Sequence, residues 1–141
     1  MTWVVWALLS AAFAGITAVL AKVGVENVNS NLATAIRTTV VLVITWSIVF
    51  VSMPAGSIAV PSRKTLLFLG LSGVATGLSW LCYFRALQLG EASRVAPVDK
   101  LSVVFAIILA GIFLRERLTL QHLVGGTLIV AGSLVLAWKP S

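Results

Sequence analysis

Five long apolar runs limit what this chain can fold into more than any other feature. The runs cover residues 3–21, 32–53, 65–89, 95–114 and 119–138. Each is close to the roughly 20 residues that an α-helix needs to cross a bilayer. Only helices and closed barrels satisfy their own backbone in lipid, and a barrel needs alternating segments of about ten residues. The sequence therefore predicts an all-α polytopic membrane protein, a bundle of five transmembrane helices.

Composition supports a membrane setting and narrows the partners. The chain is 60% hydrophobic and 10% charged, whereas an ordinary soluble domain is about 25% charged. Its formal net charge of +6 comes from cations scattered between the apolar runs, which favours lipid headgroups over nucleic acid as neighbours. The single cysteine, Cys82, cannot form an intrachain disulfide.

Turn and cap signals set the expected ends of the last two helices. Ser93 is a candidate N-cap, and Pro97 is tolerated in a first turn, so the fourth helix is predicted to begin near Val95 and to run to Leu114. Thr119 is the candidate N-cap of the fifth helix.

Small residues recur at helical spacing on three of the helices. Such stripes let another helix backbone approach closely, and we interpret them as structural contacts rather than a substrate path. The helix-packing candidates are Gly15, Gly70, Gly73, Gly77, Gly125 and Gly132.

The segment from Trp80 to Trp138 carries family features. They are the aromatic end of helix three with Ala86-Leu87, the Ala92-Ser93 turn, the Glu116-Arg117-Leu118-Thr119 connection and the closing Gly125-to-Gly132 stretch. With these features the chain resembles the EamA domain of the drug/metabolite transporter superfamily. The position of Pro97 followed by Asp99-Lys100 resembles the five-helix bacterial and archaeal branch.

The resemblance implies a single transmembrane domain over residues 1–141 and a secondary transporter or permease. Its expected cargo is a small metabolite, amino-acid-like solute or drug, which is exported across a bacterial or archaeal cytoplasmic membrane. Such a domain would be half of a ten-helix transporter with inverted repeats. No cofactor or metal is expected. The alternative from another class is an accessory or assembly subunit that binds a larger membrane partner without transporting anything itself.

Charged residues inside membrane spans are functional-site candidates by default. Arg37 lies within the second run, where lining a cavity is as good an interpretation as snorkelling or a structural ion pair. Counting crossings puts it on the same membrane side as the charged residues of helices three and four. The candidates for substrate contact or proton coupling are Arg37, Trp80, Tyr83, Arg85, Asp99 and Lys100.

Asp99 and Lys100 are adjacent, so on a continuous helix their side chains diverge by about 100°. We therefore expect each to find a partner elsewhere. For Asp99 the possible partners are Arg37, Arg85 and Arg94. A cationic pocket with one carboxylate suits an anionic or zwitterionic solute, or a proton-coupled step at Asp99.

The remaining polar residues are expected to have structural rather than functional roles. Glu116 lies between two arginines in a short connection, which indicates interfacial pairing, and His122 is expected to be a packing or interface residue. The sequence has no catalytic triad pattern, phosphate-binding loop or metal-ligand spacing, so an enzyme is not expected.

An odd number of spans puts the two ends of the chain on opposite membrane sides. A missing inverted half would then come from a second chain, either an antiparallel homodimer or a paralogue, with a parallel dimer as the alternative. Outside the spans, one side carries Arg63, Lys64, Arg115 and Arg117, and the other carries Lys22, Arg94 and Lys139. Because this bias is small, the sequence is compatible with insertion in both orientations.

Overall fold

The structure is a computed structural model that describes residues 2–54 and 61–138. Lys139, which entered the charge count, lies outside these residues. The described chain is helical: α1 (Trp3–Gly24), α2 (Ser30–Ser52), α3 (Arg63–Leu89), α4 (Ala92–Asp99), α5 (Ser102–Phe113) and α6 (Leu120–Ala137).

Five stretches of the described residues are long and apolar enough to cross a membrane. They are α1, α2, α3, the combined segment Ala92–Phe113, and α6. This confirms the all-α prediction with five spans. The observed ends differ from the predicted ones by up to three residues, most clearly at the end of α1, which extends to Gly24.

The fourth span is not one continuous helix, and here the prediction was wrong. Pro97 is the sixth residue of α4 rather than part of its first turn, and Glu91, not Ser93, occupies the N-cap position. Proline has no N–H and its ring crowds the preceding turn, so it weakens the helix around it. After Asp99 the chain forms two tight turns, each closed by a hydrogen bond between residues i and i+3. Lys100 N donates to Pro97 O at 3.1 Å, and Leu101 N donates to Val98 O at 3.0 Å. The helix resumes at Ser102.

The described residues divide into two compact units. One, the α4–α6 unit, contains residues 2–23 and 89–138; the other, the α2–α3 unit, contains residues 24–54 and 61–88.

In the α4–α6 unit, α6 packs mainly on α4 and then on α5. The buried Ser133 hydroxyl on α6 donates to Pro97 O on α4 at 2.9 Å. Pro97 O therefore accepts from both Ser133 and Lys100 N, so the weakened helix is fastened to α6 beside its break. In the same unit, Lys22 Nζ donates to Gly90 O at 2.9 Å.

The connection between α5 and α6 has a defined conformation. Arg115 adopts a left-handed backbone with φ of 54°, and Glu116 N reaches back to Ala110 O at 3.3 Å. Thr119 is the N-cap of α6, as predicted. His122 Nδ1 accepts from Thr119 N at 3.1 Å, which makes His122 the second member of a capping box.

In the α2–α3 unit, the end of α3 is tied to the connection that precedes α2. Gln88 Nε2 donates to Val28 O at 2.6 Å and to Val25 O at 3.4 Å. The connection turns at Asn27, which has φ of 61°, and Asn29 caps α2 by accepting from Asn31 N at 2.9 Å. These bonds fix the start of α2, and therefore the depth at which Arg37 lies in the second span.

The predicted packing glycines face open space. A Cβ built on any of them meets nothing within 4 Å beyond its chain neighbours and the backbone of its own helix, so helix packing at these positions stays a prediction, and Gly77 lines a groove described below. The six positions are Gly15, Gly70, Gly73, Gly77, Gly125 and Gly132.

Candidate substrate site

Among the charged candidates, Arg37 is distinguished by lying within a span and contacting aromatic side chains. It lies seven residues after Ser30 on α2, about 11 Å along the helix at about 1.5 Å per residue. Its guanidinium carbon is 4.1 Å from the ring centroid of Trp80 and 5.6 Å from that of Phe84. The two rings are four residues apart on α3 and so share one face of that helix. This is cation–π geometry, which stabilises a cation away from bulk water.

Arg37 has no carboxylate partner within its unit. Glu26 is the only acid in residues 24–88, and it is exposed in the connection between α1 and α2. The ion pairs of the described residues join Arg94 to Glu91 and Lys100 to Asp99. Within the described residues the Arg37 guanidinium makes no hydrogen bond, so its N–H donors are available to an oxygen acceptor.

A groove of about 520 Å³ lies between α2 and α3. This volume is within the range typical of small-molecule sites. One wall is hydroxyl-bearing and the other is apolar with a glycine; the lining residues are Asn31, Thr34, Ala35, Thr38, Thr39 and Leu42 from α2, and Val74, Gly77, Leu78 and Leu81 from α3.

The hydroxyl groups of the threonines in this groove already donate hydrogen bonds to the backbone of α2. Thr34 Oγ1 donates to Ser30 O at 2.8 Å, Thr38 Oγ1 to Thr34 O at 2.8 Å, and Thr39 Oγ1 to Ala35 O at 3.1 Å. Each hydroxyl oxygen keeps acceptor lone pairs. The groove wall can therefore accept hydrogen bonds, for example from an ammonium or amide group.

Arg85, another candidate on α3, does not join Arg37. It is exposed, and its Nη1 donates to Gln88 Oε1 at 3.0 Å, so it orients the glutamine that holds the connection before α2. Tyr83 is half-buried on α3 and interacts electrostatically with Arg37. Of the predicted residues in this unit, the structure brings together Arg37, Trp80 and Tyr83.

Asp99 and Lys100 lie against each other, contrary to the expectation that each would pair elsewhere. Lys100 Nζ is 3.6 Å from Asp99 Oδ2, and the two side chains are 56% and 37% exposed. Lys100 keeps helical backbone angles, with φ of −68° and ψ of −9°, so the two side chains still leave the backbone in different directions. The long, exposed lysine side chain bends back to reach the neighbouring carboxylate. Arg94, a partner considered for Asp99, pairs instead with Glu91, its Nε lying 3.1 Å from Oε2.

Sequence reasoning missed Phe84, Gln88 and the threonine row of α2. A signal for two of these features was present. Trp80 and Phe84 are four residues apart, as are Thr34 and Thr38, and residues at that spacing share a helix face. Nothing in the local sequence indicates the bond from Gln88 to residues 60 and 63 positions earlier.

Five spans, with a half-buried cation and an open groove in the α2–α3 unit, are features of a multi-pass membrane transporter. The chain belongs to the EamA-like transporter family, whose sequence profile matches residues 1–138. This confirms the family resemblance of the sequence.

Several proteins are similar to the chain. An uncharacterized transporter encoded in the cobO 3' region of Sinorhizobium sp is 54% identical over 139 residues, covering 96% of both chains. An uncharacterized protein of Methanocaldococcus jannaschii is 29% identical over 136 residues, again covering 96% of both. A probable 4-amino-4-deoxy-L-arabinose-phosphoundecaprenol flippase subunit, ArnE, of Erwinia tasmaniensis is 35% identical over 74 residues, which are 52% of this chain and 68% of that protein. No solved structure matches the chain.

Proposed function

We propose that this protein is a secondary transporter that exports a small metabolite, amino-acid-like solute or drug, and that Arg37 receives an anionic group of that solute. The observation that carries the proposal is the cation–π contact of Arg37 with Trp80 and Phe84 within a membrane span, without a carboxylate partner in its unit. The transport cycle is a change of conformation and involves no chemical conversion of the cargo.

The energetics of an arginine in a span support this role. A central arginine costs about 2.5 to 3.5 kcal/mol on insertion scales, and less where its stem can snorkel. The two rings offset part of this cost but supply no hydrogen-bond acceptors in the guanidinium plane. A carboxylate or phosphate accepts two parallel N–H bonds from one guanidinium, and such bidentate pairs are among the stronger hydrogen bonds. A solute with an acidic group therefore complements Arg37.

Asp99 is the candidate for proton coupling. It stands at the end of α4, where the fourth span breaks, and it is half-buried beside Lys100. A carboxylate that loses its neighbouring cation becomes easier to protonate, because its charged form is no longer stabilised. A change of conformation at the break would separate the two side chains and so couple proton uptake to transport.

The direct test is transport by the isolated protein. Vesicles that contain only this chain should release preloaded radiolabelled amino acids or small carboxylates faster than empty vesicles, and Arg37→Gln should remove the difference. An Arg63→Gln variant, changed at the start of α3, is the matched control for lost charge. Release that is unaffected by Arg37→Gln would overturn the assignment of Arg37.

We further propose that the working unit is a dimer, either an antiparallel homodimer or a pair with a paralogue. Five spans leave the chain's ends on opposite sides, and the open glycine faces of α1, α3 and α6 offer surfaces for a second chain. A C-terminal tag should be found on both sides of the cytoplasmic membrane in intact cells if the homodimer is antiparallel. Uniform placement on one side would exclude that homodimer and leave a parallel dimer or a paralogue partner.

A second candidate function is that of an accessory subunit in a larger membrane assembly. The observation that favours it is the similarity to ArnE proteins, which are named as subunits of a flippase. The two functions differ in one measurement, because an accessory subunit gives no transport in vesicles until its partner is added. Transport by the chain alone would reject this candidate.

A further inference from the structure

The α4–α6 unit contains a second groove, of about 270 Å³, between α5 and α6. It is separate from the threonine-lined groove of the α2–α3 unit, and most of its wall is aliphatic. Its lining includes Val104 and Ile108 from α5, Leu118 from the connection, and His122, Gly126 and Val130 from α6.

Gly126 lines the groove, and its lack of a side chain leaves space beside Val104. A Cβ built at Gly126 would lie 4.0 Å from Val104 Cγ2, so an alanine would fit there and a longer side chain would enter the groove. From His122 to Val130 the lining extends eight residues along α6, about 12 Å at about 1.5 Å per residue. That is less than half of the roughly 30 Å hydrocarbon core. One leaflet is half of that core, about 15 Å, so the lined length covers most of the depth that a single acyl chain occupies.

Polar and cationic residues stand at the end of the groove where the chain leaves the span. Arg115 and Arg117 flank Glu116 in the connection between α5 and α6, giving this tripeptide a net charge of +1. His122 lines the groove, and its Nδ1 accepts from Thr119 N. The proton of the neutral imidazole is therefore on Nε2, which leaves a donor available at this end.

We propose that the α5–α6 groove binds one acyl chain of an anionic phospholipid, with the lipid phosphate at the connection that carries Arg115 and Arg117. An aliphatic groove that covers most of the depth of one leaflet selects a hydrocarbon chain, and the excess of positive charge at its mouth selects a headgroup with net negative charge over a zwitterionic one. This site uses none of the residues assigned to the transported solute, so the two proposals can fail separately.

The first test compares two lipids on the full chain purified in detergent. Native mass spectrometry during titration should show one molecule of phosphatidylglycerol retained more tightly than phosphatidylcholine. The double variant Arg115→Gln/Arg117→Gln should weaken phosphatidylglycerol binding roughly thirtyfold, because each arginine near an anionic headgroup contributes about a factor of five. Arg63→Gln/Lys64→Gln is the matched control with the same loss of charge, and its binding should be unchanged.

The second test fills the groove. Gly126→Leu should abolish the preference for phosphatidylglycerol, whereas Leu128→Trp, at an exposed position of α6 that does not line the groove, should keep it. Ile108→Trp fills the groove from α5 and serves if Gly126→Leu does not fold, as judged by helical circular dichroism. Equal retention of the two lipids, or equal losses in both charge variants, would overturn the proposal.

Discussion

The two units of this protein hold their charged side chains in different ways. In the α4–α6 unit, Arg94 and Lys100 each pair with an acid that is a near neighbour in sequence, Glu91 and Asp99. In the α2–α3 unit, Arg37 is held by aromatic rings, and that unit's one acid lies in a connection. A cation with a local carboxylate is already neutralised, whereas a cation on a ring keeps its hydrogen-bond donors. The difference indicates where a solute's own charge can contribute to binding.

The largest expected effect comes from replacing Arg37, the cation that contacts the aromatic rings. Arg37→Gln should raise the KM for an acidic solute about tenfold to a hundredfold, because a hydrogen bond to a charged group contributes about 1.5 to 3 kcal/mol. Arg37→Lys should lose less, since it keeps the charge without the planar fork. Transport in vesicles measures both. A KM for Arg37→Gln equal to that of the wild type would remove the contrast between the units.

Charge reversal tests the paired residues of the other unit. Asp99→Lys should reduce transport at least fivefold, because two adjacent cations about 4 Å apart repel by about 1 kcal/mol even in water. Glu116→Lys, in the exposed connection, should have a smaller effect. The comparison requires equal amounts of both variants in the membrane. Normal transport by Asp99→Lys together with loss in Glu116→Lys would show that the coupling site is elsewhere.

A smaller effect is expected where α6 holds the break in the fourth span. Ser133→Ala removes the bond to Pro97 O and should lower the free energy of unfolding by about 1 kcal/mol. The carbonyl keeps Lys100 N as a partner, so no buried acceptor is left unsatisfied. Thermal unfolding in detergent measures the change, with the exposed Ser93→Ala as control. Equal losses in the two variants would mean that this bond does not stabilise the unit.

The smallest expected effect on stability distinguishes the connection in one unit from the connection in the other. Each contains one left-handed residue, Arg115 in one and Asn27 in the other. That conformation costs a typical side chain about 1 to 2 kcal/mol, and asparagine tolerates it better. Glycine also gives the unfolded chain more freedom, which offsets about 0.4 to 1 kcal/mol of this gain. Arg115→Gly should therefore raise the unfolding temperature only slightly in a detergent without anionic lipid, while Asn27→Gly should leave it nearly unchanged. A decrease for Arg115→Gly would contradict the strain assigned to that connection.

Hydropathy was sufficient to predict the five spans, because a chain in lipid has few alternatives to the helix. Thr119 was also predictable as a cap, since its role depends on residues within one turn. The break after Asp99 was not predicted, because Pro97 was assigned to a first turn and the true helix start lies several residues earlier.

The candidate site was only partly predictable for a related reason. Arg37 was identified because an arginine in an apolar run is conspicuous. Its partners were expected to be acids, and the rings of Trp80 and Phe84 were overlooked as partners because aromatic residues are common in membrane spans and carry no formal charge. The bond from Gln88 to Val28 joins residues 60 positions apart, so it depends on the folded chain rather than on local sequence.

The contact between Asp99 and Lys100 also bears on how the fourth span enters the membrane during synthesis. An isolated aspartate or lysine at the centre of an emerging helix costs about 2.5 to 3.5 kcal/mol on translocon scales, and less toward its ends. Because these two residues are consecutive, their 3.6 Å contact can form as soon as the segment leaves the ribosome, before α6, on which α4 packs, has been synthesised. The nascent segment thus brings its own counter-ion to the translocon, and its integration does not have to wait for a partner helix.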